Sequence, residues 1–255
     1  MQPEIDVLGL PIKTFGVMFA LGFLAAGAVL ARRLKEQGKP VDWAYEIIFA
    51  GLLGGLVGSR LYYLFQHTDQ FSDDPLGSLF GGTGLVWYGG AIGGAIAVCL
   101  WAKRRGMFGL GLLDLCAPAL ALGYAIGRIG CQLSGDGDYG KPSDLPWAMG
   151  YENGTVPTDP GVKVHPTPIY ETLAMGLVAY VLWRFRDRVR TGVLFAWYLI
   201  AAGLERFLVE FLRRNEDAAL GLTTPQLESL AMLAAGLLWL ALAHRRGGLR
   251  PAAAT

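Results

Sequence analysis

Residues 109 to 133 read GLGLLDLCAPALALGYAIGRIGCQL. As a helix rising 1.5 Å per residue, this stretch is long enough to cross a hydrocarbon core roughly 30 Å thick. It carries two charges, Asp114 toward one end and Arg128 toward the other. An arginine in such a segment costs at least about 2.5 to 3.5 kcal/mol on insertion scales, so it is expected to face a bundle interior or an aqueous cavity. Working outward, further apolar segments lie at about 13–31, 43–65, 85–102, 167–183, 192–212 and 226–243. The pattern predicts an all-α, polytopic membrane protein with about seven transmembrane helices.

The composition agrees. Of 255 residues, 53% are hydrophobic and 17% charged, with a mean hydropathy of +0.39. A soluble domain averages about 25% charged, so a water-soluble globule and a disordered chain both fit poorly. The expected organisation is one integral membrane domain over residues 1–250, including an outer, periplasmic loop or small head region at 134–165, and a tail at 251–255. The N-terminal stretch lacks the basic region and small-residue cleavage site of a signal peptide, so the first span is read as retained. A net charge of +1 excludes the electrostatic footprint of nucleic-acid binding. Cys99, Cys116 and Cys131 are too widely spaced to imply a disulfide framework or a metal site.

Orientation follows from where Lys and Arg fall between spans. Arg32, Arg33, Lys35 and Lys39 follow the first; Lys103, Arg104 and Arg105 the third; Arg184, Arg186, Arg188 and Arg190 the fifth; Arg245, Arg246 and Arg250 the seventh. The opposite side holds Lys13, Lys141, Lys163, Arg213 and Arg214. The N-terminus is therefore expected outside and the C-terminus in the cytoplasm. Arg60, Arg128 and Arg206 remain inside spans, each on an outward-running helix and five to seven residues before its outer end.

Snorkelling toward the nearest interface would explain each arginine singly. Acids at the same level instead suggest a shared polar chamber in the outer half. Glu171 lies about five residues into an inward-running helix, while Arg206, Glu210 and Arg213 have the i, i+4, i+7 spacing of one helical face. Such a chamber suits an anionic amphiphile entering from the outer leaflet, and a phospholipid head group meets that description. The glycines before Arg60 and Arg128 read mostly as helix packing. Gly89 and Gly90, followed by Gly93 and Gly94, are denser than packing requires, and a distorted backbone presenting amides is expected there.

The segment from Gly127 to Pro142 has Asp-Gly spacing but lacks the bidentate Glu of a calcium loop, so it reads as a turn-rich gate. It continues to His165-Pro166-Thr167-Pro168-Ile169-Tyr170-Glu171, where the prolines restart a helix. A loop this long is usually functional.

These two blocks, together with Glu205 to Arg213, resemble the signature blocks of the bacterial prolipoprotein diacylglyceryl transferase family, and the resemblance covers nearly the whole chain. It implies an inner-membrane enzyme that moves the diacylglyceryl group of phosphatidylglycerol to the lipobox cysteine thiol of prolipoproteins, releasing glycerol phosphate. The implied partners are phosphatidylglycerol, prolipoprotein signal peptides and the bilayer, with no cofactor or metal. Arg128 and Arg206 match the family's essential arginines, and Glu171, Glu210 and Arg213 fall on positions the family uses. Arg60, Tyr88, Gly89, Gly90, Gly130, Gly140 and His165 complete the expected substrate-binding set. The chain departs from the common pattern at Tyr88, where many members have His, at Cys131 for Asn, and at Phe15 and Ala202 for Tyr.

Two guanidinium groups suit the charge that develops on a departing phosphate. The thiol also needs a base or cation, since a free cysteine has a pKa of about 8.5. His165 stands at the chamber mouth, His67 and His244 in solvated positions; Tyr88 reads as a positioning group, Glu171 as holding an arginine, and Cys131 as buried structure. The rival readings are a small-molecule transporter, from the Gly-x-x-Gly-x-Arg and Gly-x-x-x-Gly-Arg runs before Arg60 and Arg128, and a diverged relative that binds phosphatidylglycerol or serves another acceptor.

Overall fold

A computed structural model describes residues 1–7, 9–67, 86–246 and 248–249, with the backbone alone for Val7, Trp87 and Tyr88. The 251–255 tail, Arg250, Leu85 and the Tyr88 side chain lie outside the described residues. Among the described residues two short strands, β1 (Glu4–Val7) and β2 (Leu10–Lys13), precede seven long helices. These are α1 (Thr14–Glu36), α2 (Trp43–Gln66), α3 (Trp87–Arg105), α4 (Leu110–Ser134), α5 (Thr167–Phe185), α6 (Val193–Glu210) and α7 (Thr224–Arg245). Each apolar segment read from the sequence corresponds to one of them.

Helices α1, α2, α4 and α7 are long and apolar enough to cross a membrane on length and composition alone. Helix α6 is shorter, at 18 residues, and carries Glu205, Arg206 and Glu210. The chain divides into two compact units, Met1–Val29 with Leu113–Thr255, and Leu30–Leu112.

In the first unit the strands form an antiparallel hairpin, Glu4 opposite Lys13 and Val7 opposite Leu10. The chain is otherwise helical, as expected, and this hairpin is a small addition at its N-terminus. Gly9, at φ +85°, closes it, and its N–H donates to Asp6 Oδ1 at 2.8 Å. Strands of four residues leave too little alternation to stand out beside a long apolar run.

Helix α4 packs through small residues spaced four apart. Ala117, Ala121 and Ala125 form a buried stripe against Met175, Ala179 and Leu182 of α5 and Leu194 of α6. Helices α6 and α7 approach through Gly203 and Gly236: a Cβ on Gly203 would stand 2.9 Å from Ser229 O, and one on Gly236 3.0 Å from Ala196 O. Large apolar side chains such as Leu173, Leu177 and Tyr180 point outward instead. Small residues inside and large ones outside suit a lipid solvent, where association relies on close packing.

Two polar devices set the helix ends. Asp114 accepts from the N–H of Gly192 at 2.6 Å and of Phe195 at 2.9 Å, occupying two free donors at the start of α6. Thr223 and Gln226 form a capping box on α7. Between α4 and α5 the chain builds a small head whose core is Tyr139, Tyr151 and Val164. It is pinned to the end of α4 by the hydroxyl of Tyr151, which donates to Gln132 Oε1 at 2.7 Å.

In the second unit, α2 and α3 pack glycine on glycine. A Cβ on Gly58 would lie 2.3 Å from Gly89 O, and one on Gly93 2.3 Å from Gly54 O. Near one end of this pair, Glu46 accepts from Trp101 Nε1 at 2.5 Å and pairs with Arg105. Near the other, the hydroxyl of Ser59 donates to Val86 O at 2.7 Å.

Candidate functional site

The ionisable residues of α4, α5 and α6 meet within the first unit. The alanine stripe of α4 leads directly to Tyr124 and Arg128, one turn apart, so both side chains address α5. There Arg128 Nη2 meets Glu171 Oε1 at 2.9 Å, and Arg128 Nε donates to the Tyr124 hydroxyl at 3.2 Å. Arg128 Nη1 pairs with Asp138 and also faces Cys131 Sγ at 3.6 Å.

Glu171 is the hub, with its side chain wholly buried. The same Oε1 atom accepts from Tyr124 at 3.1 Å and from Arg206 Nη1 at 3.1 Å, and lies 3.6 Å from Arg213 Nη1. Arg206 Nη2 in turn pairs with Glu210 Oε2 at 3.1 Å. Arg213 stands beyond the end of α6, in the following turn, yet remains 3.9 Å from Glu210 and also pairs with Asp138. Glu210 Oε1 is further held by Asn215 Nδ2 at 2.5 Å and the Thr223 hydroxyl at 2.9 Å.

Local chain geometry delivers each of these groups. The Thr167 hydroxyl donates to Asp138 O at 2.6 Å, which fixes the head loop to the first turn of α5. Lys141 N donates to Leu212 O at 2.7 Å and Lys141 Nζ to Phe211 O at 3.0 Å, so the same loop grips the segment that carries Arg213. Gly140 is required at this junction, since a Cβ there would stand 2.5 Å from Leu212 O and 2.9 Å from His165 Cβ.

Two head-loop carboxyls respond oppositely to this environment. Burial alone would raise Asp138, but the guanidinium groups of Arg128 and Arg213 outweigh it and hold the carboxyl below its usual range. Asp136 is pushed up, by burial first and then by the charge of Asp138. Cys131, Asp136 and Asp138 bring potential ligand atoms within 4.8 Å of one another. Asp138, however, is engaged by two guanidinium groups, which makes the trio part of an ion-pair network and a poor cation cage.

Arg128, Arg206, Glu171, Glu210 and Arg213 thus come together. The other expected site residues do different work in the structure. Arg60 belongs to the second unit, where its guanidinium lies 5.3 Å from the Tyr63 ring centroid. Tyr88, Gly89 and Gly90 also belong to that unit, within the first turn of α3. The distorted backbone expected at Gly89 and Gly90 is not found: α3 is continuous helix from Trp87, and Gly90 N–H already bonds to Val86 O. The density of glycine there is explained by the contact with α2. Gly130 packs α4 against α1, its missing Cβ leaving room for Met18 and Phe15. His165 Nδ1 is 3.4 Å from the Tyr170 hydroxyl, which accepts from Trp147 Nε1 at 2.7 Å.

Sequence reasoning missed Tyr124 and Asp138. The first was signalled by its position one turn before Arg128. The second was concealed in Asp-Gly spacing that reads as turn chemistry.

A network of this kind can bind an anion bidentately wherever one carboxylate gives way. Asp138 is the most replaceable of the three acids, being borne by a loop and partly exposed, whereas Glu171 and Glu210 are buried on helices.

The family model for prolipoprotein diacylglyceryl transferase matches residues 3–242. A Clostridium tetani protein named phosphatidylglycerol–prolipoprotein diacylglyceryl transferase is 37% identical over 241 residues, covering 93% of this chain and 96% of that one. Proteins of the same name from Methylobacillus flagellatus and Vibrio vulnificus are 34% and 33% identical, covering 96% and 92% of this chain and 99% and 89% of theirs.

Proposed function

The chain belongs to the prolipoprotein diacylglyceryl transferase family, and from that membership we infer that it transfers the diacylglyceryl group of phosphatidylglycerol to the lipobox cysteine of prolipoproteins, releasing glycerol phosphate. It is a bacterial membrane enzyme whose partners are phosphatidylglycerol, prolipoproteins and the bilayer. The family match runs across both compact units, which supports reading residues 1–250 as one transferase domain. The sorting of Lys and Arg between spans supports placement in the inner membrane with the N-terminus outside and the C-terminus in the cytoplasm.

The observation that carries the reading is the pairing of Arg128 and Arg206 through one buried oxygen, Glu171 Oε1, at 2.9 and 3.1 Å. Transfer breaks the bond between a glyceryl carbon and a phosphate oxygen, so negative charge grows on the departing phosphate. Guanidinium groups already fixed by Glu171, Tyr124 and Glu210 meet that charge without reorganising, which is the largest source of catalysis in a site shielded from water. Asp138 lies between Arg128 and Arg213, which supports a phosphate competing with that carboxylate for the guanidinium groups. Tyr88, Gly89, Gly90, Arg60, Gly130, Gly140 and His165 remain in the reading as residues that shape the approach of lipid or peptide.

The test is to incubate the purified protein with labelled phosphatidylglycerol and a lipobox peptide. A thioether product with released glycerol phosphate is expected from the cysteine peptide and none from its serine counterpart. Lipid binding without product would instead identify a diverged relative, and undiminished transfer by Arg128→Lys and Arg206→Lys would overturn the assigned roles.

A further inference from the structure

Glu205 stands beside the ion-pair network without joining it. Arg128, Arg206 and Arg213 are matched by Asp138, Glu171 and Glu210, three cations against three acids. Glu205, the residue before Arg206 on α6, is a fourth acid with no cation of its own. Its Oε1 atom is buried, and among the described residues no hydrogen bond and no salt bridge to it is found.

The surroundings of Glu205 are those of the site. It lies within electrostatic reach of Glu171, Arg128 and Arg206, and of Tyr124 and Tyr198. Tyr198, Ala202 and Glu205 are spaced i, i+4, i+7 on α6 and so share one helix face, and Tyr198 and Ala202 pack on the core that holds Ala117, Ala121 and Ala125 of α4. A buried polar atom without a partner is uncommon and costs stability, so it calls for an explanation, and use in chemistry is one.

Among the described residues no histidine is placed in the ion-pair network to accept the thiol proton. His67 ends α2 and is stacked on Tyr63, and His244 occupies the last turn of α7, the end opposite the Thr223 contact with Glu210. His165, at the end of the head, faces the Tyr170 hydroxyl of α5 at 3.4 Å. Glu171 also has a buried oxygen without a partner, Oε2, but its Oε1 faces three guanidinium groups and a tyrosine hydroxyl, which makes that carboxylate a weak acceptor. Glu205 has a buried unpartnered oxygen and, among the described residues, no ion pair.

We propose that Glu205 is the proton acceptor for the lipobox thiol, a role that rests on the transferase reading above. The carboxylate takes the proton from S–H. The resulting thiolate attacks the glyceryl carbon that bears the phosphate, so an S–C bond forms as the C–O bond breaks. The electron pair leaves with the glycerol phosphate oxygen, whose charge Arg128 and Arg206 receive. The proton then passes from Glu205 to the phosphate product or to water. No oxidant or reductant is needed.

The experiment compares a lipobox peptide with its selenocysteine analogue, whose selenol is ionised at neutral pH and needs no base. Transfer from phosphatidylglycerol vesicles is followed from about pH 6 to about pH 9, the range spanning thiol ionisation. With the cysteine peptide, Glu205→Gln is expected to lose at least about 100-fold in turnover, the usual lower bound for a general base. Glu205→Asp should retain more, phosphatidylglycerol binding should persist, and selenocysteine should restore Glu205→Gln to within about tenfold of the wild type. Equal impairment on both peptides, or wild-type turnover and pH dependence in Glu205→Gln, overturns the assignment. Selenocysteine rescue of His165→Asn in place of Glu205→Gln moves the role to His165 and overturns it too. Should Glu205→Gln fail to fold, the selenocysteine-to-cysteine rate ratio of Glu205→Asp decides, and a ratio equal to the wild type's overturns the proposal. Absence of thioether product from the wild-type protein would sink the transferase reading itself, an outcome distinct from an active wild type with an indifferent Glu205→Gln.

Discussion

Two helix contacts in this molecule solve the same problem by opposite means. In the second unit α2 meets α3 through Gly54, Gly58, Gly89 and Gly93, so tightly that added Cβ atoms would fall 2.3 to 2.6 Å from backbone oxygens. In the first unit α4, α5 and α6 meet through Arg128, Glu171 and Arg206, joined at 2.9 to 3.1 Å. The glycine contact needs no desolvated charge. The ionic contact takes several charges out of water, an expense that exceeds what packing of apolar side chains would require. A membrane protein that can pack on glycine has no structural need for buried arginines, so their presence marks where the chemistry is.

That contrast can be broken most directly at the arginines. Arg128→Lys and Arg206→Lys keep the charge but lose the planar fork, and each is expected to reduce transfer by about 100-fold or more while phosphatidylglycerol-dependent thermal stability changes less. A loss of folding equal to the loss of activity would show that the ionic contact is mainly structural. Next in size is Gly58→Ala, which forces a Cβ into Gly89 O and should cost about 1 to 3 kcal/mol by overpacking, read as a lower thermal midpoint with turnover per folded molecule largely retained. Equal stability in that variant would mean that the two helices separate at no cost.

Smaller again is Asp114→Ala. It removes acceptors from the N–H groups of Gly192 and Phe195 and should destabilise by about 0.5 to 2 kcal/mol, the usual range for a lost helix cap. The finest test uses the two head-loop acids. Asp138, held below its usual range once its guanidinium partners outweigh burial, contributes stability that is present above the unfolded carboxyl pKa of about 3.9 and is lost as pH falls through its lower folded value. Asp136, raised by burial and by Asp138, contributes in the opposite sense: stability present below about pH 3.9 is lost as pH rises through its folded value. Asp136→Asn is therefore expected to leave the thermal midpoint at neutral pH unchanged or slightly higher, and Asp138→Asn to lower it.

The helices were legible in the sequence because twenty-residue apolar runs have few competing interpretations. The site was legible where charge fell inside such runs: Arg128, Arg206, Glu171 and Glu210 each violate local hydropathy, and all four meet. Asp138 was not, since a carboxylate in a Gly-rich loop obeys local rules and acquires meaning only when the head folds back over α4. Glu205 was hidden by its neighbour, as adjacent residues on a helix face different ways and the sequence does not say which of them points at α4. The glycines after Tyr88 misled in the other direction. Their density suggested exposed amides, and close approach of two backbones accounts for it.

One contact at the edge of the site also bears on how much sequence the family can vary. The 2.9 Å bond from the Thr223 hydroxyl to Glu210 closes residues 211–222 into a ring, at whose tip Leu220 stands 93% exposed with φ +57°. Doubling the length of a closed loop adds only about 0.6 kcal/mol of closure entropy. Insertions and replacements at this tip should therefore be nearly free, provided the Glu210–Thr223 clasp survives, which makes the ring a natural place to graft a reporter or a tether within reach of the reaction without disturbing it.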